Sequence, residues 1–91
     1  MFYIISYDIK DDKRRLKVMK LLKNYGSRVQ YSVFECILPE EKITELRKKL
    51  NDLICKETDS VRIYSIPSNF ECRIEIIGVG KVEKDEPYYF V

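Results

Sequence analysis

Phe2-Tyr3-Ile4-Ile5-Ser6-Tyr7-Asp8-Ile9 is rich in aromatic and β-branched side chains, broken only by Ser6 and Asp8, and free of glycine and proline. Such a run reads as a β-strand. Alternation puts Phe2, Ile4, Ser6 and Asp8 on one face, and Tyr3, Ile5, Tyr7 and Ile9 on the other. Apolar residues therefore fall on both faces, so the sheet needs cover on both sides.

Working outward from that strand, Asp11 or Asp12 can cap a helix that runs to about Tyr25, with Gly26 as its stop. At ~100° per residue, Val18, Met19, Leu21, Leu22 and Tyr25 share one broad side, and Lys13, Lys17, Lys20 and Asn24 the opposite one. Residues 28–38 are extended again, and periodicity alone reads them as one strand. Pro39 closes this stretch and can sit at a helix start. A second helix is expected over residues 40–56, with Ile43, Leu46, Leu50 and Leu53 as its buried stripe. That heptad-like spacing is too short for a coiled coil. Residues 61–66 form the next strand, stopped by Pro67. Residues 72–79 alternate as one more, with Gly78 and Gly80 marking a bend or bulge.

The order is strand, helix, extended stretch, helix, strand and an additional strand. Two helices on one sheet face make an α+β two-layer sandwich. Phe2 and Ile4 then point at an uncovered face, for which a two-fold homodimer packed face to face is the economical cover.

The chain has 91 residues and no linker or repeat, so one domain is expected. No apolar stretch approaches the ~20 residues of a membrane span. Met1 leads directly into the strand without the pattern of a signal peptide. Cys36, Cys55 and Cys72 are odd in number and widely spaced, which fits a reducing cytoplasm better than a disulfide scaffold or a zinc site. The sequence contains no histidine, so Ser-His-Asp and Cys-His mechanisms within the chain are excluded.

The net charge is only +2, but it is unevenly spread. Lys10, Lys13, Arg14, Arg15, Lys17, Lys20, Lys23 and Arg28 face only Asp11 and Asp12 over positions 10–28, a local +6. This is the footprint of a polyanion partner. Lys13, Arg14, Lys17 and Lys20 are the candidates for gripping a nucleic-acid backbone, blind to its sequence. The plain alternative is a solvated helix face, and the scarcity of acidic neighbours favours binding.

Asp8, at a strand end beside the basic helix, is either a polar terminus or a metal ligand. Two Asp8 carboxylates brought together in a dimer would resist joint ionisation without a shared cation. Mg²⁺ or Mn²⁺ would answer, and could activate water against a phosphodiester. Arg15 can reach towards that strand end to grip a phosphate, or simply snorkel. Tyr31 and Phe34 have the chemistry to stack on bases, though core packing is the stronger expectation for both, and nothing matches the RNP1 aromatic pattern.

Together these segments resemble the CRISPR-associated protein two family. The likeness is carried by Tyr3-Ile4-Ile5-Ser6-Tyr7-Asp8-Ile9, by the basic helix with Arg15, by Arg28-Val29-Gln30-Tyr31-Ser32-Val33-Phe34-Glu35-Cys36, and by Asp59-Ser60-Val61-Arg62-Ile63-Tyr64. The Gln-x-Ser-Val-Phe-Glu segment is its most specific part. The resemblance implies a ferredoxin-like βαββαβ domain over residues 1–80, in which residues 28–31 and 33–38 are separate strands. It also implies a face-to-face homodimer whose last strand crosses to the partner, followed by a tail over residues 81–91. Asp8 would be the metal-associated aspartate, and Arg15, Arg28 and Phe34 would match positions linked to activity. The implied role is CRISPR adaptation: spacer acquisition on duplex DNA with the CRISPR integrase, protein one, together with metal-dependent endonuclease activity on DNA or single-stranded RNA. A toxin-type endoribonuclease of the same fold is the alternative. Lys17 departs from members with a second arginine there, which weakens bidentate phosphate capture. The apolar Tyr88-Tyr89-Phe90-Val91 end is expected to dock on a partner, with an intramolecular edge strand as the plain alternative.

Overall fold

The computed structural model describes residues 1–67 together with Glu75, Ile77 and Gly78. The elements are β1 (Phe2–Asp8), α1 (Asp12–Lys23), β2 (Ser27–Gln30), β3 (Val33–Ile37), α2 (Glu40–Leu53) and β4 (Ser60–Ile66). The four described strands form one antiparallel sheet in the order β2-β3-β1-β4, which is the expected ferredoxin-like arrangement. Apart from Glu75, Ile77 and Gly78, the expected strand at 72–79 lies outside the described residues, as do its exchange in a dimer and the 81–91 tail.

β1 is central because it pairs on both sides. Ile5 faces Phe34 of β3 and Ile63 of β4, and Asp8 ends the strand opposite Ser60. Tyr3, Ile5, Tyr7 and Ile9 point into a core closed by Val18 and Leu22 of α1 and by Ile43, Leu46 and Leu50 of α2. This is the two-layer packing expected from the apolar stripes. On the other face Phe2 is already buried within the single chain, whereas Ile4 is half-buried and its neighbour Tyr64 is 50% exposed. The case for a second cover therefore rests on Ile4 and Tyr64.

The extended stretch at 28–38 does divide in two. β2 and β3 form a hairpin turning at Tyr31 and Ser32, with an irregular register between Arg28 and Gln30. That bulge breaks the alternation, which is why periodicity reads one strand here.

Asp11 is the N-cap of α1, accepting from the Arg14 N–H at 2.9 Å. Gly26 follows the helix as expected, but for a different reason. It has no positive φ; a β-carbon there would collide with the Glu35 carbonyl oxygen and lie 2.5 Å from the Cys36 sulfur. Close approach of the chain to β3 demands glycine. α2 ends at Leu53, short of the expected Lys56, because the Cys55 N–H donates to the Asp59 carboxylate at 3.0 Å and the chain turns around that side chain.

Among the described residues, Cys36 and Cys55 are free, and no helix is long and apolar enough to cross a membrane. Burial pushes the Cys36 thiol up to about 11, so it is inert packing at neutral pH.

Candidate nucleic-acid interface

The loop from β1 to α1 is held from both sides. Asp59, on the approach to β4, has a fully buried carboxylate. It accepts from the Lys10 N–H at 3.1 Å, from Arg14 Nε at 2.6 Å and Nη2 at 3.2 Å, and from the Thr58 hydroxyl at 3.1 Å. On the other side of the loop, Arg15 donates through Nε to the Ile9 carbonyl at 3.1 Å and through Nη2 to the Lys10 carbonyl at 3.3 Å. Its Nη1 pairs with Asp12 at 2.7 Å. Lys10 is thus fixed at both its N–H and its C=O, which places its ammonium 3.4 Å from Asp8.

This geometry divides the basic segment into two groups. Arg14, expected on the nucleic-acid surface, is bound to Asp59 and works as an internal clamp. Arg15 reaches Asp8's end of the strand as expected, and there organises the loop. Lys13, Lys17 and Lys20 are exposed, and among the described residues they make no ion pair. They form the positive face left free for a polyanion.

Asp8 is exposed beside a hollow of about 310 Å³, lined by Tyr7, Asp8, Ile9, Lys10, Arg15, Tyr31 and Ser32. A second hollow of about 150 Å³ shares Tyr7, Arg15 and Tyr31 and adds Arg28. Burial raises the Tyr7 phenol above its usual range, against the opposing influence of Arg28, so the hydroxyl remains a donor towards the Tyr31 carbonyl at 3.5 Å. Arg28 donates to the same carbonyl at 3.1 and 2.8 Å.

The two candidate aromatics separate sharply. Phe34 is fully buried against Tyr7, with ring centroids 6.3 Å apart, so it contacts no ligand and supports the strand that ends in Asp8. Tyr31, for which core packing was expected, is 76% exposed.

Among the described residues no three acidic, cysteine or histidine side chains converge as a metal site. At this strand end the described residues offer a divalent cation the Asp8 carboxylate, with the Lys10 ammonium beside it. Mg²⁺ takes one or two carboxylates plus water and phosphate oxygens. The donors therefore fit Mg²⁺ or Mn²⁺ only when a second copy supplies another Asp8 or a phosphate completes the shell. Sequence reasoning missed Asp59, whose spacing from Arg14 carries no signal. The ion pair exists only once β4 lies beside β1.

A family model described as CRISPR associated protein Cas2 matches residues 1–74. A CRISPR-associated endoribonuclease Cas2 of Chloroflexus aurantiacus is 46% identical over 91 residues, covering 100% of this chain and 98% of that protein. The crystal structure of Streptococcus pyogenes Cas2 superposes with a TM-score of 0.74 at 35% identity, covering 86% of this chain and 100% of that one. A chain in a partial Cas6-RT-Cas1–Cas2 complex superposes with a TM-score of 0.63 at 31% identity, covering 75% of this chain and 80% of that one.

Proposed function

The chain belongs to the CRISPR associated protein Cas2 family, and we propose that it is the duplex-holding subunit of CRISPR adaptation, working as a homodimer with the CRISPR integrase in spacer acquisition. The observation that carries this reading is the free lysine row. Lys13, Lys17 and Lys20 project from one helix, no described carboxylate neutralises them, and the neighbouring arginines are tied up internally. A phosphate backbone is the partner such a row suits, through contacts that place a duplex without reading it. The Cas1–Cas2 complex among the similar structures supports the integrase as partner.

The test is co-elution of the protein, the integrase and a DNA duplex. Reversing charge at Lys13, Lys17 and Lys20 leaves the protein–integrase complex intact and removes the duplex from it. Retention of the duplex by the triple variant would contradict the reading.

Asp8 favours a second activity in the same protein. In a dimer, the two Asp8 side chains would hold Mg²⁺ or Mn²⁺, with the Lys10 ammonium beside them to meet the substrate phosphate and Arg15 holding the loop that carries Lys10. When bound, the metal would supply an activated water and neutralise charge developing on the phosphodiester. The endoribonuclease name of the Chloroflexus relative supports RNA as substrate. Asp8→Asn is expected to abolish Mg²⁺-dependent cleavage of RNA and DNA, as a chelator does, while the dimer stays intact. Full residual cleavage would move the chemistry away from Asp8. A toxin-type ribonuclease working without an integrase would sit beside an antitoxin gene; an adjacent integrase gene and repeat array would decide against it.

A further inference from the structure

Tyr31 is an exposed aromatic ring on a backbone held by hydrogen bonds. It sits at the tip of the β2–β3 hairpin, where its carbonyl accepts from both Arg28 nitrogens and lies 3.5 Å from the Tyr7 hydroxyl. The next carbonyl, that of Ser32, accepts from the Tyr7 N–H at 3.1 Å. The tip is therefore tied to the central strand. The Arg28 guanidinium lies 5.2 Å from the ring centroid, which occupies one face of the ring. With 76% of the residue exposed, the other face is open.

A single exposed aromatic needs no explanation by itself. This one lines both hollows described above, together with Tyr7 and Arg15, and one of the two also contains Asp8 and Lys10. Cations beside a rigid, solvent-facing ring are what a strand of unpaired nucleotides requires: charge for the phosphate and a π-face for the adjacent base. A duplex keeps its bases stacked inside and has no use for the ring.

We infer that Tyr31 is a stacking platform for an unpaired base, so that the Asp8 end of the molecule takes single-stranded nucleic acid while the lysine row of α1 takes duplex. The inference rests on the nucleic-acid reading of the family but names a separate subsite. A base on Tyr31 would set its phosphate over the hollow that holds Lys10 and Arg15.

The chain contains no tryptophan, so Tyr31→Trp installs a unique fluorophore at the tip. The probes are a single-stranded oligoadenylate of about ten nucleotides, the same oligonucleotide with abasic sites, and a blunt DNA duplex. Tryptophan emission is expected to be quenched by oligoadenylate, and not by the abasic strand or the duplex. Tyr31→Ala should weaken oligoadenylate binding roughly tenfold or more, Tyr31→Phe should retain it, and neither should change duplex affinity or dimer size. Wild-type affinity in Tyr31→Ala, unquenched emission, equal loss of both ligands, or a dissociated dimer would each overturn the assignment. Failure of the wild type to bind oligoadenylate would also overturn it while leaving the duplex reading standing. Failure on the duplex alone would do the reverse.

Discussion

At the scale of single residues, two side chains bear on the proposed site without being positioned to react. Asp59 connects the β1–α1 loop, α1 and the turn after α2 through one buried carboxylate. Its hydrogen bonds from Arg14, above all, hold that carboxyl well below the usual aspartate range, with the Cys55 and Lys10 N–H groups acting in the same direction. A carboxyl whose folded pKa is depressed contributes stability that is present above the unfolded value, near pH 4, and is lost as pH falls below it. Asp59→Asn is therefore expected to lower stability at neutral pH and to flatten the acid limb, read from urea unfolding at pH 7 and pH 3. An unchanged acid slope would place the acid sensitivity elsewhere. Phe34 is fully buried, so truncating it leaves a cavity rather than a missing ligand contact. Phe34→Ala should cost about 3–5 kcal/mol, and Phe34→Leu less. Activity should follow the folded fraction in both, as measured by thermal melts alongside binding. Loss of activity in a fully folded Phe34→Leu would give the ring a direct role.

At the scale of elements, legibility in the sequence follows how local the cause is. α1 could be placed because a cap, an apolar stripe and a basic stripe all lie within its own residues, and Asp11 and the Val18–Leu22 side behave accordingly. β1 could be placed from its alternation. The β2–β3 division was not legible from periodicity, because a bulge spoils the alternation and a two-residue turn at Tyr31 and Ser32 carries no glycine or proline to mark it. The end of α2 was likewise hidden, since it is set by a carboxylate four residues beyond Cys55. For the site, the expectation that Arg15 reaches Asp8's end held, because both lie within one strand–loop–helix unit. The Arg14–Asp59 ion pair and the exposure of Tyr31, for which core packing was expected, were not legible, since one depends on β4 and the other on a hairpin tip. Pairings between distant segments are what a local reading cannot supply.

At the scale of the whole molecule, the charge distribution and the half-open sheet face point in complementary directions. Ile4 and Tyr64 want cover and suit a second copy, whereas the lysine row of α1 belongs to the helical layer and stays available for a duplex. Dimerisation would also bring a second Asp8, which one chain lacks. The central claim is that the free lysines of α1 hold a duplex by its phosphates. It is tested most directly by duplex affinity measured across a salt series, for the wild type and for the variant with Glu at positions 13, 17 and 20. Each phosphate contact contributes about 0.9 to the slope of log affinity against log salt. The account predicts weaker binding and a slope shallower by about 3 in the triple variant. Equal affinity at low salt with an unchanged slope would contradict it.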